Sequence, residues 1–286
     1  MNNVQELLEL ITLKEINATQ FEGLSTSVGS PNVFGGQVLA QALNAASRTI
    51  TNQRILHSMH AYFLEAGDLQ MPISYDVKII RDGGSFSVRR VTAEQNGVTI
   101  FILSASFHKK EEGHNHQIEK PVGVKLPEEL MSWSEILEKF GEFIPIKTKN
   151  FLGSERPVEF KPVELLNPFD KKDLPATTNV WFKIKGDTSH LNLAEKQQIL
   201  TYVSDYNILA AVMGRHASKA HWGNTVTASL DHSMWYFRDF DFDDWLLYAI
   251  ESPNASGARG FARGNIFSRD GKLIASVAQE GLLRPK

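Results

Sequence analysis

The chain has 286 residues, 42% hydrophobic and 22% charged, with a net charge of −3. This is a globular composition for one large or two ordinary domains, without the basic excess that draws nucleic acid or an anionic membrane surface. Apolar runs are too short to span a bilayer, and the absence of cysteine excludes disulfides, thiolate nucleophiles and cysteine-held metals.

The first residues, Met1 to Glu6, lack the basic start and apolar stretch of a signal peptide. The last four, Leu283-Arg284-Pro285-Lys286, are not a peroxisomal address. A cytoplasmic protein without stable membrane insertion or a nucleic-acid partner is expected.

Phe21 to Ser27 reads as a first strand. Val33-Phe34-Gly35-Gly36-Gln37 then leads into a run in which Val38, Leu39, Ala42, Leu43 and Ala46 share one helix face. Its alanines allow close packing, as for a helix wrapped by a sheet. Strand signals follow at Ile55–Leu64, Ile73–Ile80, Ser85–Glu94 and Val98–Phe107. The Asn96-Gly97 pair marks a tight hairpin, because both central residues of a type I′ turn need positive φ.

A stretch rich in proline follows, from about 109 to 175. It opens with the charged Lys109-Lys110-Glu111-Glu112-Gly113-His114-Asn115-His116. His114 and His116 lack convergent acidic partners, so this segment reads as a solvated loop and no metal is expected. Met131–Phe140 reads as a short helix, and residues 156–166 as a strand matching Phe21–Ser27.

Ile208, Leu209, Val212 and Met213 repeat the spacing of the first helix, Val38 falling on Ile208 and Leu43 on Met213. Strand signals recur at Ser229–Phe240, Trp245–Ile250, Gly257–Ser268 and Leu273–Leu283, with Asp270-Gly271 as a hairpin turn. His57-Ser58-Met59 returns as His232-Ser233-Met234, and Gly83, Arg89 and Gly97 return in the same order and spacing as Gly257, Arg263 and Gly271. The chain reads as one unit written twice. The expected class is α+β, a double hot-dog: two fused units, each a long helix wrapped by an antiparallel sheet. Residues 1–110 form the first unit, 111–154 a linker and 155–286 the second. Trp245, Leu246 and Tyr248 are expected on an outer sheet face.

Chemistry is expected where the copies disagree. Continuing the same alignments, Asp205 stands opposite Gly35, Ser229 opposite Arg54, and Gln279 opposite Ala105. A carboxylate can take a proton from water, while a hydroxyl and a carboxamide hold that water in place. Asp205 also fits a plain helix cap. His57 and His232 lie among apolar and aromatic residues, and structural histidines with both ring nitrogens occupied fit that setting. The paired Arg89 and Arg263 are expected to serve the fold.

The long motifs resemble one family. They are Val33-Phe34-Gly35-Gly36-Gln37, His57-Ser58-Met59-His60 with Tyr62-Phe63, Arg81-Asp82-Gly83 with Ser85-Phe86, and Arg89-Arg90-Val91. Ser204-Asp205, Leu230-Asp231-His232-Ser233-Met234-Trp235, Ala258-Arg259-Gly260 and Gln279-Glu280-Gly281 complete the set. Together, from about residue 5 to 284, they are similar to the acyl-CoA thioesterase II family. The resemblance implies a cofactor-free double hot-dog hydrolase acting on fatty acyl-CoA, assembled as a homodimer or homotetramer. It also implies a site of an Asp, a Thr or Ser, and a Gln, which fall on Asp205, Ser229 and Gln279; the family's common threonine is serine here. Gly35 and Gly36, before the first helix, are candidate oxyanion donors or merely packing glycines. A hot-dog enoyl-CoA hydratase would want an Asp–His pair, and His216 stands too far along the chain from Asp205 to share a helix face with it. A non-catalytic acyl-CoA-binding protein is the remaining alternative.

Overall fold

The computed structural model describes residues 1–286 apart from 52, 145, 165–171 and 222. The first half contains α1 (Val4–Ile11), β1 (Lys14–Asn17), β2 (Gln20–Gly23), α2 (Gly35–Arg48), β3 (Arg54–Phe63), β4 (Ile73–Asp82), β5 (Phe86–Gln95) and β6 (Val98–Lys109). A connecting stretch carries α3 (Trp133–Phe140) and α4 (Ile146–Gly153). The second half contains β7 (Val158–Pro162), β8 (Thr177–Ile184), α5 (Leu193–Ser204), α6 (Ala210–Arg215), β9 (Thr225–Ser229), β10 (Asp231–Tyr236), β11 (Leu246–Ser256), β12 (Arg259–Ser268) and β13 (Leu273–Pro285). Among the described residues no helix is long and apolar enough to cross a membrane.

All strands join one antiparallel sheet in the order β1-β2-β4-β5-β6-β3-β10-β13-β12-β11-β8-β7, with β9 also on β13. The order reads alike from both ends, as expected of two fused hot-dog units. The seam is β3 against β10, with Met59 opposite Met234. Helix α2 buries ten of its fourteen residues, so it is enclosed rather than laid on a surface. Its buried Gln41 is satisfied by hydrogen bonds: Nε2 donates to the Leu10 and Leu24 carbonyls and Oε1 accepts from Tyr75. Helix α5 packs beside α2, with Gly36 near the α5 end at Tyr202 and Asn44 bonded to Gln198, so the two run antiparallel.

The structure corrects the equivalences between the halves. The second helix of the repeat is α5, not the segment at Ile208–Met213, where only the short α6 forms. Every residue of α5 from Gln197 to Ser204 is buried, including Gln197, Gln198, Thr201 and Ser204, so the helix shows no apolar stripe. Its sequence signal is instead a capping box: Asn192 accepts from the Glu195 amide, and Glu195 from the Asn192 amide. The strand beside β11 is β8, which takes the place of β2, while β7, within the expected 156–166, takes that of β1. Residues 165 and 166 lie outside the described set.

Strand register sharpens the repeat further. Leu56 pairs with Phe107 as Ser229 pairs with Gly281, and Ala61 with Leu103 as Met234 with Val277. The equivalent of His232 is therefore Met59, and not His57. The two His-Ser-Met copies are out of structural register by one alternation of the strand. His57 is the extra residue of a β-bulge, beside Ser106 Oγ at 2.8 Å and near the exposed Phe86, whereas His232 is wholly buried. Arg89 and Arg263 also part company. Arg89 is buried and bonded to Thr49 and Asp82, while Arg263 is exposed and paired with Glu251.

Asn96 and Gly97 both have positive φ, as a type I′ hairpin requires. At Asp270-Gly271 only Gly271 does, and the Ser268 amide bonds to Lys272 O across the loop between them. The connecting stretch lies over the second half. Gln117 bonds to Gly271 and Leu273, and Lys125 O accepts from Trp181 Nε1. Val124 and Leu130 cover Trp181, Leu247 and Phe267. Leu246 and Tyr248 are not on an outer face: both are buried, and Tyr248 OH donates to Ser204 O at the end of α5.

Candidate active site

Asp205 is the C-cap of α5, not a residue near a helix start. Its true counterpart is the C-cap of α2, Thr49. Because the helices are antiparallel, the end of α5 meets the beginning of α2. Gly35 is thus a neighbour of Asp205 rather than its counterpart. The Gly36 amide donates to Asp205 Oδ2 at 2.8 Å. A Cβ on Gly35 would stand 2.7 Å from that oxygen, and one on Gly36 would stand 2.4 Å from the Tyr202 carbonyl. Only glycine lets the two helix ends approach so closely. Gly35 N–H has no protein acceptor among the described residues.

Ser229 ends β9 and Gln279 lies in β13, so both reach the same helix end from the sheet. Gln279 Nε2 donates to Ser229 Oγ at 2.8 Å, and the side chains of both act on the Asp205 carboxylate. Burial pushes that carboxyl above the ordinary carboxylate range. The nearby His232, Gln279, the Gly36 amide and Ser229 partly offset the shift. Asp205 as a whole residue is half-buried, at the junction of the two helix ends. His232 lies behind Gln279, its Nδ1 against Gln279 Oε1 and its Nε2 3.0 Å from Ser204 Oγ. Burial lowers its pKa, which favours the neutral ring, with Asp205 and Gln279 opposing the shift.

The three candidate residues thus come together, and their equivalents in the first half do not form such a site. Those equivalents are Thr49, Leu56 and Ala105, with Met59 in place of His232. Leu56, Met59 and Ala105 are buried apolar residues, and Arg89 bonds to both the hydroxyl and the carbonyl of Thr49. Arg54, offered by the sequence as the match of Ser229, instead bonds to Ser87 and Gly83.

On the other side of the α2 start lies a row of aromatic rings. Phe34 meets Tyr202 and Tyr206, Tyr206 meets Phe160, and Phe160 meets Trp133. Buried Arg156 stacks on Trp133 and Phe151 and donates to the Leu152 and Phe151 carbonyls at the end of α4. An open groove of about 680 Å³ lies elsewhere, lined by Lys196, Asp241, Asp244 and Arg269 among others, and includes none of the candidate residues. His114 and His116 are exposed, and among the described residues no cluster of His, Asp and Glu stands ready for a metal.

The chain is thus a double hot-dog with an acid, a hydroxyl and a carboxamide gathered at one helix junction. Two family models match the chain: acyl-CoA thioesterase over residues 147–282, and acyl-CoA thioesterase N-terminal domain over 25–108. Acyl-CoA thioesterase 2 of Haemophilus influenzae is 42% identical over 281 residues, covering 98% of each chain. Human acyl-coenzyme A thioesterase 8 is 33% identical over 286 residues, covering 97% of this chain and 88% of that one. The crystal structure of acyl-CoA thioesterase II TesB2 from Mycobacterium marinum superposes with a TM-score of 0.79 at 33% identity, covering 98% of each chain. The chain belongs to the acyl-CoA thioesterase II family.

Proposed function

We propose that this protein hydrolyses medium- to long-chain fatty acyl-CoA to free fatty acid and CoA, with Asp205 as general base on a water that Ser229 and Gln279 also hold. The observation that carries the reading is the gathering of a hydroxyl, a carboxamide and a helix-start amide around one carboxyl whose pKa burial raises. A base of raised proton affinity is better matched to water than an ordinary exposed carboxylate. The water gives its proton to Asp205 as its oxygen bonds to the thioester carbonyl carbon. The carbonyl oxygen gains the negative charge, and collapse of this adduct breaks the C–S bond and releases CoA as thiolate.

Of the two oxyanion candidates, Gly36 N–H already serves Asp205. Gly35 N–H, at the positive end of α2 and without a protein acceptor among the described residues, is the donor we assign to the oxyanion. The hydratase reading would need a histidine that touches substrate. His232 is beside Asp205, but it is 0% exposed and both its nitrogens are engaged. We take the working form to be a cytoplasmic homodimer or homotetramer.

The test is release of thiol from palmitoyl-CoA, read with DTNB alongside calorimetric binding. Binding accompanied by catalytic thiol release supports hydrolysis. Binding without release would make the protein an acyl-CoA carrier and overturn the proposal.

A further inference from the structure

We propose that His232 is a positioning residue which, as its Nδ1–H tautomer, fixes the Gln279 carboxamide with its NH₂ toward Ser229 and Asp205. The inference rests on the hydrolase reading of that site and goes one layer behind it.

Donors and acceptors around the Gln279 amide decide its orientation. An amide has a donor end and an acceptor end, and a half-turn about its last torsion exchanges them at little steric cost. Gln279 is 1% exposed, so water is not available to settle the choice. One end faces Ser229 Oγ and Asp205, and the other faces His232 Nδ1. With Nδ1 protonated, that nitrogen donates to Oε1, and Nε2–H₂ is left to donate to Ser229 Oγ. Nε2 of the ring then accepts the single hydrogen of Ser204 Oγ, 3.0 Å away, which swings from the Thr201 carbonyl at 2.8 Å; that lost bond is the cost of this tautomer. The Ser229 hydroxyl, already accepting from Gln279, directs its own hydrogen to the carboxylate.

In the opposite tautomer every one of these bonds reverses. Nε2–H donates to Ser204 Oγ, whose hydrogen goes to the Thr201 carbonyl 2.8 Å away. Gln279 must turn its NH₂ to Nδ1, which leaves Oε1 facing Asp205. Two acceptors would then confront each other in a desolvated site, and the Ser229 hydrogen would be drawn to Gln279 and away from the base. The negative charge on Asp205 therefore selects the Nδ1–H form, and the ring holds the amide to it. In the first half neither partner exists: Met59 replaces the histidine and Ala105 the glutamine.

That equivalence supplies a variant suited to the fold, because Met59 already occupies the matching buried place. In His232→Met, Gln279 loses its lock. Turnover is expected to fall about tenfold or more, the scale of one misplaced hydrogen bond to the reacting centre, with KM little changed. His232→Asn, which returns an N–H near the Nδ1 position, should recover most of the loss. In a Gln279→Ala background, His232→Met should cost almost nothing further, since there is no amide left to orient. ¹⁵N NMR of the histidine ring in the unaltered protein should show Nδ1 protonated and Nε2 bare. An Nε2–H signal, or an equal loss from His232→Met with and without Gln279, would overturn the proposal. Either result would leave the role of Asp205 standing, which is tested separately by Asp205→Asn.

Discussion

Replacing Asp205 by asparagine separates activity from stability. The new carbonyl oxygen can still accept from Gly36 N–H, where Oδ2 now does at 2.8 Å. The new NH₂ must face the Gln279 carboxamide and Ser229, so a donor stands where the base stood. Loss of a general base costs about 10²- to 10⁴-fold in kcat, or about 3–5 kcal/mol of transition-state stabilisation. Stability should move the other way. Burial raises the Asp205 pKa, so the folded state holds this charge at a cost that asparagine does not incur. The sign follows from proton binding. Between the ordinary carboxylate pKa and the raised folded one, the folded state binds more protons than the unfolded. Stability therefore falls as pH rises through that interval and is level above it. At neutral pH Asp205→Asn should melt no lower than the unaltered protein. The assay pairs thiol release from palmitoyl-CoA with thermal unfolding of both proteins at neutral pH. Turnover within tenfold of the original would refute the base assignment. A clearly lower melting point would refute the claim that the buried charge is destabilising.

The raised pKa also predicts that kcat/KM climbs with pH through an acidic limb above the ordinary carboxylate range, and a limb at the ordinary position would argue against Asp205 as the titrating base. Ser229→Ala should lower kcat by about tenfold to a hundredfold, whereas Ser229→Thr, which keeps the hydroxyl and stiffens χ1, should stay within a few-fold. Equal loss in both would show that packing, not the hydroxyl, matters there. Gly36→Ala would force a Cβ to 2.4 Å from the Tyr202 carbonyl and 2.5 Å from the Phe34 ring. We expect it to cost about 1–3 kcal/mol in urea unfolding and most of the activity; a variant with full stability would mean that the helix ends separate easily.

Sequence alone reveals α2, the meanders and the Asn96-Gly97 hairpin, since each carries a local signal: a period, a strand run, a required φ. Asp205, Ser229 and Gln279 are legible because the two copies differ there, although spacing along the chain misplaces two of the three counterparts. The reason lies in loop length. The chain passes almost directly from Thr49, at the end of α2, to β3 at Arg54. From Asp205 it makes a much longer excursion before β9 begins at Thr225, and α6 occupies that insertion. Short local spacing in α6 then imitates the missing helix. Helix α5 itself is hidden by its burial, because residues enclosed on all sides have no need of a polar face. His-Ser-Met misleads for a different reason. In β3 the bulge carries His57 away from the helices, so the two histidines come to serve opposite faces while Met59 and Met234 both stay in the core. The contact between Asp205 and Gly36 depends on two helices distant in sequence, and no spacing along the chain announces it.

The antiparallel helix pair has two ends, and only one is chemically equipped. At the other, Thr49 is gripped by Arg89, and the positions matching Ser229, His232 and Gln279 are the buried Leu56, Met59 and Ala105. The consequence is a stoichiometry. Two identical hot-dog chains meeting about a true dyad would offer two equal junctions, whereas this fused pair should bind one acyl-CoA for each 32.1 kDa chain, whatever its assembly. Calorimetric titration of Asp205→Asn with a slowly hydrolysed acyl-CoA would count it, and two equivalent sites per chain would show that the far end still accepts substrate.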